Sequence, residues 1–116
     1  MIVDDNLLNL ELAADVLELA DFIVLTAASG QEGIDLAIRE QPDLVLMDLR
    51  MPGMSGLEAM QALHDLDATS AIPVAVLTAS AMKGDAERLL NSGFSAYMQK
   101  PIDPSCFAEQ VAALLK

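Results

Sequence analysis

Apolar residues along this chain follow two different spacings. Short, largely apolar runs occur at Met1–Val3, Phe22–Thr26, Leu44–Met47, Val74–Leu77 and Ala96–Met98. Unbroken runs of this length read as strands buried on both sides. Between them lie Leu7–Leu19, Gln31–Glu40, Gly56–Leu63, Asp85–Asn91 and Ser105–Leu115, where apolar positions recur every three or four residues, as in helices. In the first helix Leu8, Leu12, Val16 and Leu19 form an i, i+4, i+8, i+11 stripe, expected to face the core. The punctuation agrees with this division. Ser29-Gly30-Gln31-Glu32 has the form of a capping box. Pro42 stands beyond the second helix, Gly93 suits the position after the fourth, and Asp103-Pro104 offers an N-cap and first-turn proline for the last.

Five strands alternating with five helices predict an α/β fold, a parallel sheet covered on both faces with right-handed connections. The 116 residues make one domain spanning 1–116, with no repeat or linker. Only three residues precede Asp4, whereas a strand is usually five or six long, so the first strand is expected to be truncated on its N-terminal side.

Composition narrows the function. A hydrophobic fraction of 53% excludes disorder. A formal charge of −12 argues against nucleic acid or anionic membrane as a partner. No apolar run approaches the ~20 residues of a membrane span, and no basic segment leads into an apolar one as in a signal peptide. The lone Cys106 has no internal partner, which fits a reducing compartment. The expectation is a cytoplasmic domain without membrane insertion.

The candidate chemistry lies at the strand ends. Asp4 and Asp5 follow the first strand, Asp48 ends the third, Thr78 ends the fourth, and Lys100 follows the fifth. A parallel sheet carries all of these to its carboxyl rim, where open α/β sheets bind ligands. Singly, each has an ordinary structural reading: Asp4 or Asp5 as a helix N-cap, Asp48 and Thr78 as turn residues, Lys100 as a solvated cation. Their coincidence at four ends points to a site. Converging carboxylates need a cation, and a set of aspartates with a nearby carbonyl, that of Arg50, suits Mg²⁺ or its substitute Mn²⁺ better than Ca²⁺. An ionised aspartate there is also a nucleophile towards phosphorus, with Thr78 and Lys100 placed to steady phosphoryl oxygens. Ala79 is small enough to leave that group space. His64, Tyr97, Cys106 and the methionines 51, 54, 60, 82 and 98 read as packing residues.

These motifs resemble the receiver domain of two-component response regulators over essentially the whole chain. The resemblance rests on Asp4-Asp5-Asn6, on Asp43–Gly56 (DLVLMDLRMPGMSG), on Pro73–Ser80 (PVAVLTAS) and on Tyr97–Pro101 (YMQKP). Around Ala81–Asp85 the chain also resembles DivK-like single-domain receivers and those ending hybrid histidine kinases. The resemblance implies a flavodoxin-like (βα)5 three-layer sandwich with strand order 2-1-3-4-5. It implies Asp48 as phosphoacceptor, with Asp4, Asp5, Asp48 and the Arg50 carbonyl around Mg²⁺. It further implies Lys100 on the phosphoryl oxygens, Thr78 and Tyr97 as switch residues, and a cis Lys100–Pro101 bond. The implied partners are a histidine kinase or histidine phosphotransfer protein as donor, a downstream protein target or effector domain, and a phosphorylation-dependent homodimer. Such a module phosphorylates and dephosphorylates itself and is not otherwise an enzyme. Whether it stands alone or is cut from a hybrid kinase or multidomain regulator is left open. Two rivals compete: an aspartate-nucleophile phosphatase, which wants an acid where Arg50 stands, and a metal-binding interaction module that never accepts phosphate.

Overall fold

A computed structural model of the chain describes residues 1–78, 83–99 and 103–115, with the side chains of 83–86 not described. Its elements run β1 (Ile2–Val3), α1 (Leu7–Leu19), β2 (Thr26–Ala27), α2 (Gly30–Glu40), β3 (Val45–Asp48), α3 (Gly56–Asp65), β4 (Val74–Thr78), α4 (Lys83–Asn91), β5 (Ala96–Gln99) and α5 (Phe107–Leu114). All strand pairs are parallel, in the order β2-β1-β3-β4-β5.

Successive strand residues point to opposite faces, so the apolar runs divide between two cores. Val3, Val45, Met47, Val74 and Val76 pack beneath α2 and α3 with Ile34, Ala37, Met60 and Leu63. On the other face Ile2, Leu46, Ala75 and Leu77 meet Leu10, Ala13 and Leu17 of α1 and Phe107 and Val111 of α5. Every residue of β3 and β4 is buried, which is why those two strands carry no alternation of apolar and polar positions. The three-layer α/β sandwich expected from the sequence is present.

Several local expectations need correction. The buried stripe of α1 is Leu10, Ala13, Ala14 and Leu17, whereas Leu8, Leu12 and Leu19 are exposed and Val16 is half-buried. The strand expected over Phe22–Thr26 is only Thr26–Ala27, because β1 offers it just two ladder positions, Ile2 to Thr26 and Val3 to Ala27. The Ser29 hydroxyl does accept from the Glu32 N–H (3.2 Å), but the Glu32 carboxylate takes the Ala28 N–H, not that of Ser29, so the box is not reciprocal. The reciprocal capping box is at Ser55 and Glu58, opening α3. Asp103 does not cap α5 directly. Its carboxylate holds Ser105 in a turn, its carbonyl accepts from the Phe107 N–H, and the helix begins at Phe107 with Cys106 at the cap position but making no side-chain capping bond.

The end of α4 matches its expectation. Gly93 adopts φ +125°, its N–H reaches the Leu90 carbonyl, and Phe94 N–H reaches Leu89. This is a Schellman closure, sealed by the buried pair Leu89 and Phe94.

Candidate metal centre at the strand carboxyl ends

The site is built by strand register. Val3 of β1 lies beside Met47 of β3, so the residues that follow, Asp4 and Asp48, emerge next to each other. Parallel neighbours are ~4.8 Å apart. Together with Asp5 they form a cluster whose ligand oxygens all lie within 4.8 Å of one another. Asp4 and Asp48 are buried, while Asp5 is exposed and gives the cluster its open side.

Local bonds fix Asp4. The Asp4 N–H donates to the Ala27 carbonyl (3.1 Å), tying it to β2. One Asp4 carboxylate oxygen, Oδ1, accepts from the Asn6 N–H (2.9 Å). Asn6 is the N-cap of α1, its Oδ1 accepting from the N–H groups of Leu8 (3.0 Å) and Asn9 (3.2 Å). Neither aspartate is therefore the cap, the ordinary reading for an acid ahead of a helix. Sequence reasoning missed Asn6, although the N-cap preference of asparagine was available to it.

Beyond Asp48 the chain turns back sharply. Leu49 N–H donates to Leu77 O (3.1 Å) and Gly56 N–H to Leu49 O (2.8 Å), closing the 49–55 loop against the end of β3. A Cβ on Gly56 would lie 2.1 Å from the Asp48 carbonyl oxygen. This close approach was not legible in the sequence. Met51 is buried and anchors the loop, and Arg50 is exposed.

Thr78 ends β4 and is buried, one residue beyond Leu77, the register partner of Asp48. Tyr97 of β5 pairs with Val76 and is 40% exposed, so its ring is not packed away. Lys100, Ala79, Met82 and the Lys100–Pro101 bond lie outside the described residues. His64 is half-buried beside Gly93, and Cys106 is half-buried, not enclosed. Desolvation, followed by the nearby Asp103 charge, pushes the Cys106 thiol above its ordinary pKa. Hydrogen bonds from Ser105 hold Asp103 below its own.

Carboxylates at such separations repel by roughly 1–4 kcal/mol per pair, depending on local dielectric. A hard divalent cation removes that cost, and an all-oxygen, partly open donor set of carboxylates fits Mg²⁺. Among the described residues, no helix is long and apolar enough to cross a membrane.

Comparison with known proteins agrees with this geometry. The family model described as the response regulator receiver domain matches residues 1–112. The polar-differentiation response regulator DivK of Brucella anthropi is 44% identical over 115 residues, covering 99% of this chain and 94% of that protein. Its counterpart in Brucella ovis shows the same identity and coverage. A CheY-like receiver domain protein from Methanospirillum hungatei superposes with TM-score 0.86 at 30% identity, covering 98% of this chain and 90% of that one. The receiver domain of sensor histidine kinase PA1611 from Pseudomonas aeruginosa, with a magnesium ion coordinated in its active site cleft, gives TM-score 0.83 at 28% identity, covering 98% and 90%.

Proposed function

Because this chain belongs to the response regulator receiver domain family, we propose that it is a two-component phosphorylation switch in which Asp48 accepts a phosphoryl group. The observation that carries this reading is the cluster of Asp4, Asp5 and Asp48 within 4.8 Å at the end of β1 and β3, with Thr78 closing the next strand. Two-component signalling follows from the family; the roles of individual residues are the proposal.

Bound Mg²⁺, held by the carboxylates of Asp4, Asp5 and Asp48 and the Arg50 carbonyl, would supply charge neutralisation for the phosphoryl oxygens. A carboxylate oxygen of Asp48 attacks the phosphorus of a phosphohistidine on a histidine kinase or phosphotransfer protein. The P–O bond forms, the P–N bond breaks, and the imidazole nitrogen leaves with the electron pair. The Thr78 hydroxyl donates to one phosphoryl oxygen and the Lys100 ammonium pairs with another. The added dianion favours the state in which Thr78 has moved towards it, and Tyr97 turns inward behind Thr78. The surface carrying β5 and α5 then meets a downstream protein or a second copy of the chain differently, a population shift set by the differential contacts of the phosphoryl group.

Arg50, where a haloacid-dehalogenase-type phosphatase needs an acid, weighs against that enzyme. The test is labelling with acetyl phosphate in the presence of Mg²⁺, followed by acid-gel or mass analysis. The Asp48→Asn variant should lose the label entirely and retain its fold by circular dichroism. Undiminished labelling of that variant rules out Asp48 as the acceptor.

A further inference from the structure

β2 stands at an edge of the sheet, next to β1 alone, and the proposed switch makes no use of it. The run that leads through it, Phe22–Thr26, contains no charge, proline or glycine. Phe22 and Val24 pack on the α1 and α5 side of the sheet and Ala27 on the α2 and α3 side, the alternation of an extended strand. Ile23 therefore points to the second side, where it is 96% exposed. Thr26 is exposed as well.

The backbone divides in the same way. The Leu25 and Ala27 carbonyls face β1, accepting from the N–H groups of Ile2 (2.8 Å) and Asp4 (3.1 Å). By alternation the N–H and C=O groups of Val24 and Thr26 turn outward, away from β1. Native edges are commonly blunted by lysine, proline or an inward-pointing charge, and Phe22–Thr26 carries none of them.

We propose that the β2 edge is a self-pairing surface whose occupant is the β2 edge of a second copy of this chain, antiparallel to it about a two-fold axis at Leu25. Val24 of each copy then exchanges both backbone hydrogen bonds with Thr26 of the other, continuing the sheet. Ile23 comes opposite Ala27 of the other copy and leaves water. Charge selects this occupant and its direction. An uncharged strand is complemented by an identical one with no ionic group left unpaired. Parallel pairing would set Asp21 beside Asp21. The antiparallel pair sets Asp21 opposite Ser29, so the two Asp21 carboxylates lie about 27 Å apart at ~3.4 Å per residue, several Debye lengths at physiological salt. The charge of −12 on each copy still opposes approach, so association should strengthen with salt, the reverse of an interface held by ion pairs. So short an edge buries less than the ~1,200 Å² of a stable complex, which makes the pair weak, with Kd on the order of 100 μM. The proposed switch acts at the β5 edge, and self-pairing at β2 does not depend on phosphorylation.

The experiment follows the unphosphorylated chain by sedimentation and by amide hydrogen exchange, at low and near-millimolar concentration, in dilute and in concentrated NaCl. Dimer should form at high concentration, more of it at high salt, and exchange at Val24 and Thr26 should slow severalfold with it. Thr26→Pro removes an outward N–H and should abolish the dimer. Ile23→Ser, at a position almost wholly in solvent, should weaken it about tenfold and melt like the parent, so the test stands even if the proline variant fails to fold. Ala113→Glu, on exposed α5 beside β5, should leave it intact. A chain that stays monomeric near 1 mM in high salt overturns the proposal. So does a dimer that keeps its strength in Ile23→Ser, or one that Ala113→Glu alone removes, which would assign association to the β5 side.

Discussion

Replacing Gly56 with alanine tests how the acidic site is held. The new methyl would sit 2.1 Å from the Asp48 carbonyl oxygen and 2.9 Å from Leu49 Cα, both backbone atoms that no side-chain rotation can clear. Ordinary contact begins at 3.4 Å, so the end of β3 and the start of α3 must separate by more than an ångström. Overpacking of this kind costs about 1–3 kcal/mol, and a backbone obstacle puts Gly56→Ala at ~2–3 kcal/mol. With an unfolding entropy of ~2.1 cal/mol/K per residue, the melting temperature should fall by roughly 8–12 °C. The displaced atoms belong to the residue whose carboxylate lies in the cluster. An ångström of misplacement can cost on the order of 100-fold at a functional site, so Mg²⁺ affinity should fall as well. Circular-dichroism melts and calorimetric Mg²⁺ titration read the two effects. Gly53→Ala is the control: Gly53 has φ +78° but nothing within 4 Å of its Cβ position. That change should cost only the ~1–2 kcal/mol left-handed penalty and leave Mg²⁺ affinity unchanged. If Gly56→Ala melts within about 2 °C of the parent and binds Mg²⁺ equally, the close-approach argument is wrong.

Three further outcomes follow from the same contacts. Thr69 is fully buried and its hydroxyl donates to the Leu63 carbonyl (2.6 Å), so Thr69→Val should cost ~1–2 kcal/mol in a denaturant titration, and a neutral result would deny that bond any net value. Asp5→Asn removes one exposed carboxylate from the cluster and should weaken Mg²⁺ about tenfold by calorimetry with an unchanged melt in its absence; unchanged affinity would exclude Asp5 as a ligand. The Met1 amine is pushed from 8.0 down to about 6, chiefly by burial, with Asp43 opposing and Asp21 and Glu40 also lining its cleft. Its protonated form is the disfavoured one in the fold, so the unfolded chain binds more protons between those values. Stability should fall by ~2–3 kcal/mol as pH drops from about 8 to about 6. N-terminal acetylation should flatten that slope, and an identical slope in the acetylated chain would place its origin elsewhere.

The architecture was legible because β3 and β4 are buried on both faces, leaving unbroken apolar runs that few other folds require. The clustering of Asp4, Asp5 and Asp48 was legible because parallel register turns strand-end positions into neighbours, with no knowledge of side-chain geometry required. What failed were choices between equivalent local signals. α1 has leucine on several sides, and the large residues alone trace Leu8, Leu12 and Leu19. The true core face uses Ala13 and Ala14 with Leu10 and Leu17, since small side chains let the helix lie close to the sheet. The strand at Phe22–Thr26 failed for a non-local reason: strand propensity cannot supply a partner, and β1 reaches only to Ala27 and Thr26. Gly56 was invisible for the same kind of reason, because its constraint is an atom eight residues earlier in the chain.

Asn6 gives the site a fixed frame of reference. A helix starting so near a cluster of acids could have been capped by one of them, and its first turn would then tighten or loosen with every change of charge. Here a neutral amide does the capping, and Asp4 lends the turn only one oxygen. A cation could arrive or leave, and a dianion be added at Asp48, without altering the bonds that begin α1. In the proposed switch, rearrangement would then fall to the β4 and β5 side of the rim. The proposed hold of Asp5 on a metal and the stability of α1 would then be traits that mutation can adjust independently.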